Sequence, residues 1–341
     1  MIVVMTSDHK QEQLQHVLDH LSKFPIDPRV VPGEGQTTIC LLGKVEQIDQ
    51  TSLRAMEGVQ DVVRISKPFK LASLETQPNP SSIEITSELS IGPGAIVVMA
   101  GPCSVESEDQ TLRIARAVKA AGANLLRGGA FKPRSSPYSF QGLGKKGLEI
   151  LALARKETGL PVITEAMDTN TLDLVAEYAD IIQVGARSMQ NFPLLKELGR
   201  LNKPVMLKRG MSASIEEFLM SAEYILAEGN HNVILCERGI RSFDQQFSRN
   251  CLDLNAVPIL KSLSHLPIII DPSHGTGKRH LVSPMSLASI AAGADGVIVE
   301  VHDRPEEALS DGPQALLPDD FEKLMAGIKS VSAAVGRNVA G

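Results

Sequence analysis

The sequence predicts an α/β protein: a (β/α)8 barrel preceded by a small α+β domain. Three observations carry this. From about residue 95 onward, short apolar runs alternate with amphipathic segments eight times. The first 70 residues read strand, helix, strand, strand, helix, strand. Between the two parts, residues 71–92 are rich in Ser, Thr, Pro and Glu with little helical periodicity, the mark of a linker that could hold a short hairpin.

Taken in order, "MIVVMT" reads as a strand, and "KQEQLQHVLDHLSKF" spaces Leu14, Val17, Leu18 and Leu21 as an amphipathic helix does. "DPRVVPG" and "TTICLLGK" read as strands flanking a Gly-rich turn. "TSLRAMEGV" is a short helix with Thr51 as its cap, and "VVRISKPF" a last strand. This order is the split motif of ferredoxin-like domains.

The strands expected beyond residue 93 are "AIVVMAGPC", "NLLRGGAF", "PVITEAM", "IIQVGAR", "PVMLKRG", "NVILCERG", "PIIIDPSHG" and "GVIVEVHD". Helical segments between them, such as "DQTLRIARAVKAAG", "KGLEILALARKETG", "IEEFLMSAEYILAEG" and "SPMSLASIAAG", end in Gly, the usual helix stop. Near-continuous apolar strands joined by helices mean a parallel sheet covered on both faces. Eight such units fit a TIM barrel over residues 93–341. A doubly wound open sheet is the alternative, but no GxGxxG follows the first strand.

Composition narrows the function. Of 341 residues, 43% are apolar and 22% charged, with a net charge of −6, so bulk electrostatics argue against nucleic-acid or membrane-surface partners. The N-terminus lacks the basic and long apolar regions of a signal peptide, and no apolar run approaches the roughly 20 residues of a membrane span. Four cysteines without CxxC spacing fit reduced thiols, hence a cytoplasmic setting.

A barrel carries its chemistry at the C-terminal ends of its strands. In order these ends supply Cys103; Arg127 with Lys132-Pro133-Arg134-Ser135; Glu165; Arg187; Lys208-Arg209; Arg238; His274; and Glu300 with His302-Asp303. Solvent exposure alone would favour Ser, Asn, Asp and Gly there. Any one of these cations could be a surface salt bridge, yet their convergence implies an anionic substrate bearing phosphate or carboxylate. Cys103, His274 and Glu300 become neighbours once the barrel closes, and Asp311 can join them. Alone, Cys103 would pass for a buried thiol and His274 for a turn cap. Together thiolate, imidazole and carboxylates make a divalent transition-metal site with room for a water or substrate oxygen. Cys40, Cys236 and Cys251 lack such company and read as structural.

The motifs "AGPCSVES", "RGGAFKPRSSPYSFQGLG", "VGAR", "LKRG", "ILCERGIR", "IIDPSHGTGKR" and "EVH" with a later "SDGPQ" closely resemble 3-deoxy-D-arabino-heptulosonate 7-phosphate (DAHP) synthases. The resemblance is to the short form related to 3-deoxy-octulosonate 8-phosphate (KDO8P) synthases, and it covers about three quarters of the chain. It implies a condensation of phosphoenolpyruvate with D-erythrose 4-phosphate and water, the first step of the shikimate route to chorismate and the aromatic amino acids. It also implies metal ligation (Mn, Co, Fe or Zn) by Cys103, His274, Glu300 and Asp311. Phosphoenolpyruvate contacts fall on Arg127, Lys132, Arg187, Lys208 and Arg238, and the aldose phosphate on Lys132, Pro133, Arg134 and Ser135. Lys132 is the expected proton donor, Glu165 a residue to orient water, and His274 belongs to the catalytic set. Lys278 and Arg279 are expected to serve their loop. Residues 1–70 match the family's N-terminal regulatory domain, which implies an aromatic amino acid effector and a homo-oligomer, a tetramer. The alternative acceptor is arabinose 5-phosphate, whose synthases carry a Lys-Ala-Asn-Arg-type segment where this chain has Lys-Pro-Arg-Ser.

Overall fold

In the computed structural model, which describes residues 1–33, 36–45, 47–63, 67–134 and 136–341, apolar spacing and capping set the first elements. These are β1 (Ile2–Met5), α1 (Gln11–Leu21), β2 (Ile26–Gly33), β3 (Gln36–Gly43), α2 (Gln50–Arg54) and β4 (Val59–Val63). Leu14, Val17 and Leu21 of α1 pack with Val3, Met5, Ile39, Leu41 and Val62 of the strands. All strand pairs are antiparallel and the sheet order is β2-β3-β1-β4, the ferredoxin-like arrangement. Two expectations shift. The cap of α2 is Asp49, not Thr51: its carboxylate accepts from Thr51 N at 3.0 Å and Ser52 N at 3.3 Å. The last strand also comes three residues early, ending at Val63; residues 64–66, like positions 34 and 35 of the Gly-rich turn, lie outside the described residues.

The chain divides into one unit of Met1–Pro80 with Leu263–His265 and another of Ser81–Ser262 with Leu266–Gly341. The second opens with a hairpin, β5 (Ile83–Thr86) and β6 (Leu89–Ile91). Eight parallel strands follow: β7 (Ala95–Gly101), β8 (Leu125–Arg127), β9 (Val162–Ala166), β10 (Ile181–Val184), β11 (Val205–Lys208), β12 (Val233–Glu237), β13 (Ile268–Ile270) and β14 (Gly296–Glu300). Neighbours in sequence pair throughout, and β14 returns to β7 from Gly296↔Val97 to Glu300↔Gly101, closing the barrel. Ile83, Leu89 and Ile91 join a cluster with Leu125, Ile163, Ile181 and Met206. Those partners are first or second in their strands, so the hairpin plugs the end opposite the strand C-termini.

Helices α3 (Glu108–Ala121), α4 (Lys145–Thr158), α5 (Leu172–Tyr178), α6 (Phe192–Arg200), α7 (Ile215–Ala227), α8 (Ala256–Leu263), α9 (Pro272–Thr276), α10 (Arg279–Ala291) and α11 (Pro318–Ala334) complete the wrapping, with a short β15 (Asn338–Val339) beside β7. Helix α10 begins at Arg279, four residues before the expected segment, and continues through Pro284, which removes one backbone bond without ending it. The expected strand "PIIIDPSHG" ends at Ile270, and "PSHGT" is a single helical turn. Asp271 caps it, accepting from His274 N at 2.9 Å, and left-handed Gly277 ends it.

Candidate active site and metal centre

Four side chains meet at the C-terminal mouth. Cys103 lies two residues beyond β7, His274 on α9, Glu300 at the last position of β14, and Asp311 in the following turn. One donor atom from each falls within 4.8 Å of all the others. Around a single ion with bonds of about 2.0–2.3 Å, donors stand at most about 4.6 Å apart, so the set fits a metal with little adjustment. His274 Nε2 is 3.3 Å from Glu300 Oε1 and 3.9 Å from Asp311 Oδ2, and Cys103 Sγ is 3.4 Å from that same Oδ2. Asp311 reaches the set in a left-handed conformation (φ +52°), alone in this among described residues other than glycine.

The surrounding atoms fix these donors. Asp271 Oδ2 lies 2.7 Å from His274 Nδ1, which places the proton on Nδ1 and leaves Nε2 facing the cluster. Glu300 N donates to Ser273 Oγ at 3.0 Å. Burial pushes the Cys103 thiol up to about 12, Glu300 adding to the effect, so without a cation the sulfur keeps its proton. Burial would raise Asp311 as well, but His274 and Arg249 outweigh it and hold that carboxyl at about 2. A soft sulfur, one imidazole and two ionised carboxylates suit a divalent transition metal.

Beside the cluster opens a cleft of about 480 Å³ whose wall is cationic. Arg127, buried, donates from Nη1 to Glu300 Oε1 at 2.9 Å and to Pro102 O at 3.1 Å. Its Nε is buried without a partner among the described residues, as is one terminal nitrogen of Arg134. Lys132 places Nζ 3.1 Å from both Cys103 Sγ and Cys103 O. Although burial opposes its charge, the thiolate form of Cys103 and the carboxylates of Glu165 and Glu300 raise Lys132, which favours the ammonium. Lys208 pairs with Asp271. Arg187, Arg238 and Pro133 also line the cleft, while Ser135 lies outside the described residues.

Glu165 faces the same space, its Oε2 accepting from Gln183 Nε2 at 3.0 Å. A Cβ at Gly185 would sit 2.1 Å from Glu165 Oε1, so only glycine lets that carboxylate lie across β10. Three strand-end residues turn elsewhere. Arg209 is buried against Glu237 (2.9 Å) and Asp253 (2.8 Å). His302 and Asp303 face α3, the first 3.2 Å from Gln110 Nε2 and the second paired with Arg113. Arg279 donates to Ala315 O, a loop contact. Sequence reading gave Asp271, Arg241, Arg249 and Gln314 no part in the site. The first was signalled by its place at a strand end; the others sit in loops with no periodicity to mark them.

The arrangement can hold a polyanion against a Lewis-acidic centre with an ammonium within reach. Residues 77–336 match the model of the DAHP synthetase I family, and residues 1–67 that of the DAHP synthase ferredoxin-like domain. The chain is 47% identical over 339 residues to a phospho-2-dehydro-3-deoxyheptonate aldolase of Thermotoga maritima, covering 99% of this chain and 100% of the relative. A 2-dehydro-3-deoxyphosphooctonate aldolase of Geobacter sulfurreducens is 33% identical over 277 residues, covering 74% of this chain and all of the relative. The crystal structure of the Thermotoga DAHP synthase superposes with a TM-score of 0.79 at 46% identity, covering 99% of this chain and 98% of the other. A truncated form of the Thermotoga synthase gives 0.74 at 49% identity over 80% of this chain and 99% of its own.

Proposed function

The chain belongs to the DAHP synthetase I family, 3-deoxy-7-phosphoheptulonate synthases that carry out an aldol-type condensation, and from that premise we propose its substrates and the roles of its residues. Phosphoenolpyruvate, D-erythrose 4-phosphate and water give 3-deoxy-D-arabino-heptulosonate 7-phosphate and phosphate, the entry to the shikimate and chorismate pathway. The observation that carries this reading is one mouth shared by a cationic cleft and the Cys103, His274, Glu300, Asp311 set.

Arg127, Lys132, Arg187, Lys208 and Arg238 hold the phosphate and carboxylate of phosphoenolpyruvate. This removes the freedom that otherwise costs a bimolecular reaction most of its rate. Lys132, Pro133, Arg134 and Ser135 hold the aldose phosphate, Pro133 stiffening the segment. The enol carbon bonds to the aldehyde carbon, and Lys132 gives its proton to the oxygen that becomes a hydroxyl. Glu165, fixed by Gln183, orients the water that adds at C2, after which phosphate leaves by C–O cleavage. A divalent ion (Mn, Co, Fe or Zn) held by Cys103, His274, Glu300 and Asp311 supplies Lewis acidity at the aldehyde oxygen.

The five-carbon acceptor is a second reading, supported by the octulosonate aldolase relative; Lys132-Pro133-Arg134-Ser135 favours the four-carbon one. Measuring phosphoenolpyruvate loss with each aldose phosphate separates the two. Residues 1–70 serve regulation, since none of the ligand or cleft residues above lies in them, with tyrosine or phenylalanine as effector. The working form is a cytoplasmic homotetramer. No described helix is long and apolar enough to cross a membrane.

A further inference from the structure

Both carboxylates of the metal set turn one oxygen to the cluster and give the other to a donor outside it. Glu300 turns Oε1 toward His274 and Arg127, while its Oε2 accepts from Gln314 Nε2 at 2.6 Å. Asp311 turns Oδ2 toward Cys103 and His274, while its Oδ1 accepts from Arg249 Nη2 at 3.2 Å. The two outer donors are themselves joined: Arg249 Nη1 donates to Gln314 Oε1 at 2.9 Å. A guanidinium only donates, so this bond fixes the amide with its NH2 toward Glu300. Gln314 is 2% exposed and ends the turn that begins at Asp311, with Gln314 N donating to Asp311 O at 3.2 Å. Tight packing pins that turn, for a Cβ on Gly312 would meet Pro305 O at 2.1 Å. Leu316 N then ties its far side to Glu300 O at 2.8 Å.

We propose that Gln314 and Arg249 are positioning residues that hold Glu300 and Asp311 as one-oxygen ligands, keeping the coordination number low enough to leave a place for substrate. A carboxylate free of such a partner would swing to bind through both oxygens and fill that place. Arg249 comes from the long loop after β12 and lines the substrate cleft. The same guanidinium therefore links the metal set to the wall that meets the anionic substrate. The inference rests on the metal reading of the four residues above.

The test uses the full chain, stripped of metal and titrated with Co2+ alone, for wild type, Gln314→Leu, Arg249→Leu and Arg249→Lys. Calorimetry gives the dissociation constant, and the visible d–d and thiolate charge-transfer bands report coordination number without turnover. Gln314→Leu should weaken Co2+ about 10–100-fold, the usual effect of removing an outer partner of a metal ligand, and dim the d–d bands as coordination rises. Arg249→Leu should move both readouts the same way by less, because its bond to Asp311 is longer and half exposed whereas the Gln314 bond to Glu300 is short and buried, and Arg249→Lys should recover part of the loss. Arg249 is surface-accessible, so its variants report even where Gln314→Leu does not fold. Wild-type affinity and spectrum in folded Arg249→Leu and Gln314→Leu would overturn the inference. A wild type that binds no Co2+ would overturn the metal reading beneath it.

Discussion

Asp271 Oδ2 lies 2.7 Å from His274 Nδ1, and the same buried carboxylate takes the ammonium of Lys208. One aspartate thus ties the proposed metal ligand to a proposed phosphoenolpyruvate contact. Although burial opposes ionisation, His274 and Lys208 keep its carboxyl well below the usual range. Asp271→Asn loses the shared negative charge and turns an NH2 donor toward either the His274 N–H or the His274–Lys208 pair. Metal affinity should fall about 10–100-fold, with KM for phosphoenolpyruvate rising alongside. Asp271→Ala also leaves Lys208 buried and uncompensated, and should lower unfolding free energy by roughly 3–5 kcal/mol. Metal titration and urea denaturation read the two effects separately; unchanged affinity in Asp271→Asn would refute the coupling.

Lys132 touches both the Cys103 sulfur and the cleft. Lys132→Arg keeps the charge but gives up the transferable proton, so kcat should drop by about 10²–10⁴ with a far smaller change in KM for phosphoenolpyruvate. Steady-state kinetics decide it, and a raised KM with kcat unchanged would point to binding alone.

Chelator treatment should abolish turnover, and Mn, Co, Fe or Zn should restore it to different degrees. Cys103→Ala should lose both the metal and the restoration, since no second sulfur among the described residues joins the set. Metal content by elemental analysis, measured beside activity, checks this. Undiminished turnover in protein verified metal-free would contradict it.

Much of this was legible in the sequence for physical reasons. Strands buried on both faces must be apolar throughout, so Ile268–Ile270 and Gly296–Glu300 announce themselves, and the strand-end rule then leads to Cys103, His274 and Glu300. The short hairpin expected within residues 71–92 lies at Ile83–Ile91, but its bounds were not legible because so few paired residues give no usable periodicity. Helix α9 was hidden because "PSHGT" has weak helical propensity and is held by the Asp271 cap and by packing. Asp271, Arg249 and Gln314 act through contacts between loops distant in sequence, and only the folded chain places them together. The expected outward set also proved mixed: Arg209 lies beside Lys208 yet faces the other side of the strand, where Glu237 and Asp253 neutralise it.

Removing the first 75 or so residues should leave a condensing barrel insensitive to aromatic amino acids. In the full chain tyrosine or phenylalanine should inhibit, through a difference in affinity between open and closed states typically worth about 1–3 kcal/mol. Titrating both proteins with tyrosine, phenylalanine and tryptophan tests it. Equal sensitivity in the two, or none in the full chain, would reject a regulatory role for the N-terminal unit.

The central claim is a four-carbon acceptor held by the segment Lys132-Pro133-Arg134-Ser135. The most direct measurement is kcat/KM for D-erythrose 4-phosphate against D-arabinose 5-phosphate, at saturating phosphoenolpyruvate and with the metal-loaded full chain, followed by loss of phosphoenolpyruvate absorbance. Erythrose 4-phosphate should be preferred by at least about 100-fold, near the limit set when one extra unit must fit a shaped pocket. Comparable values for the two sugars, or a preference for the five-carbon one, would contradict the account.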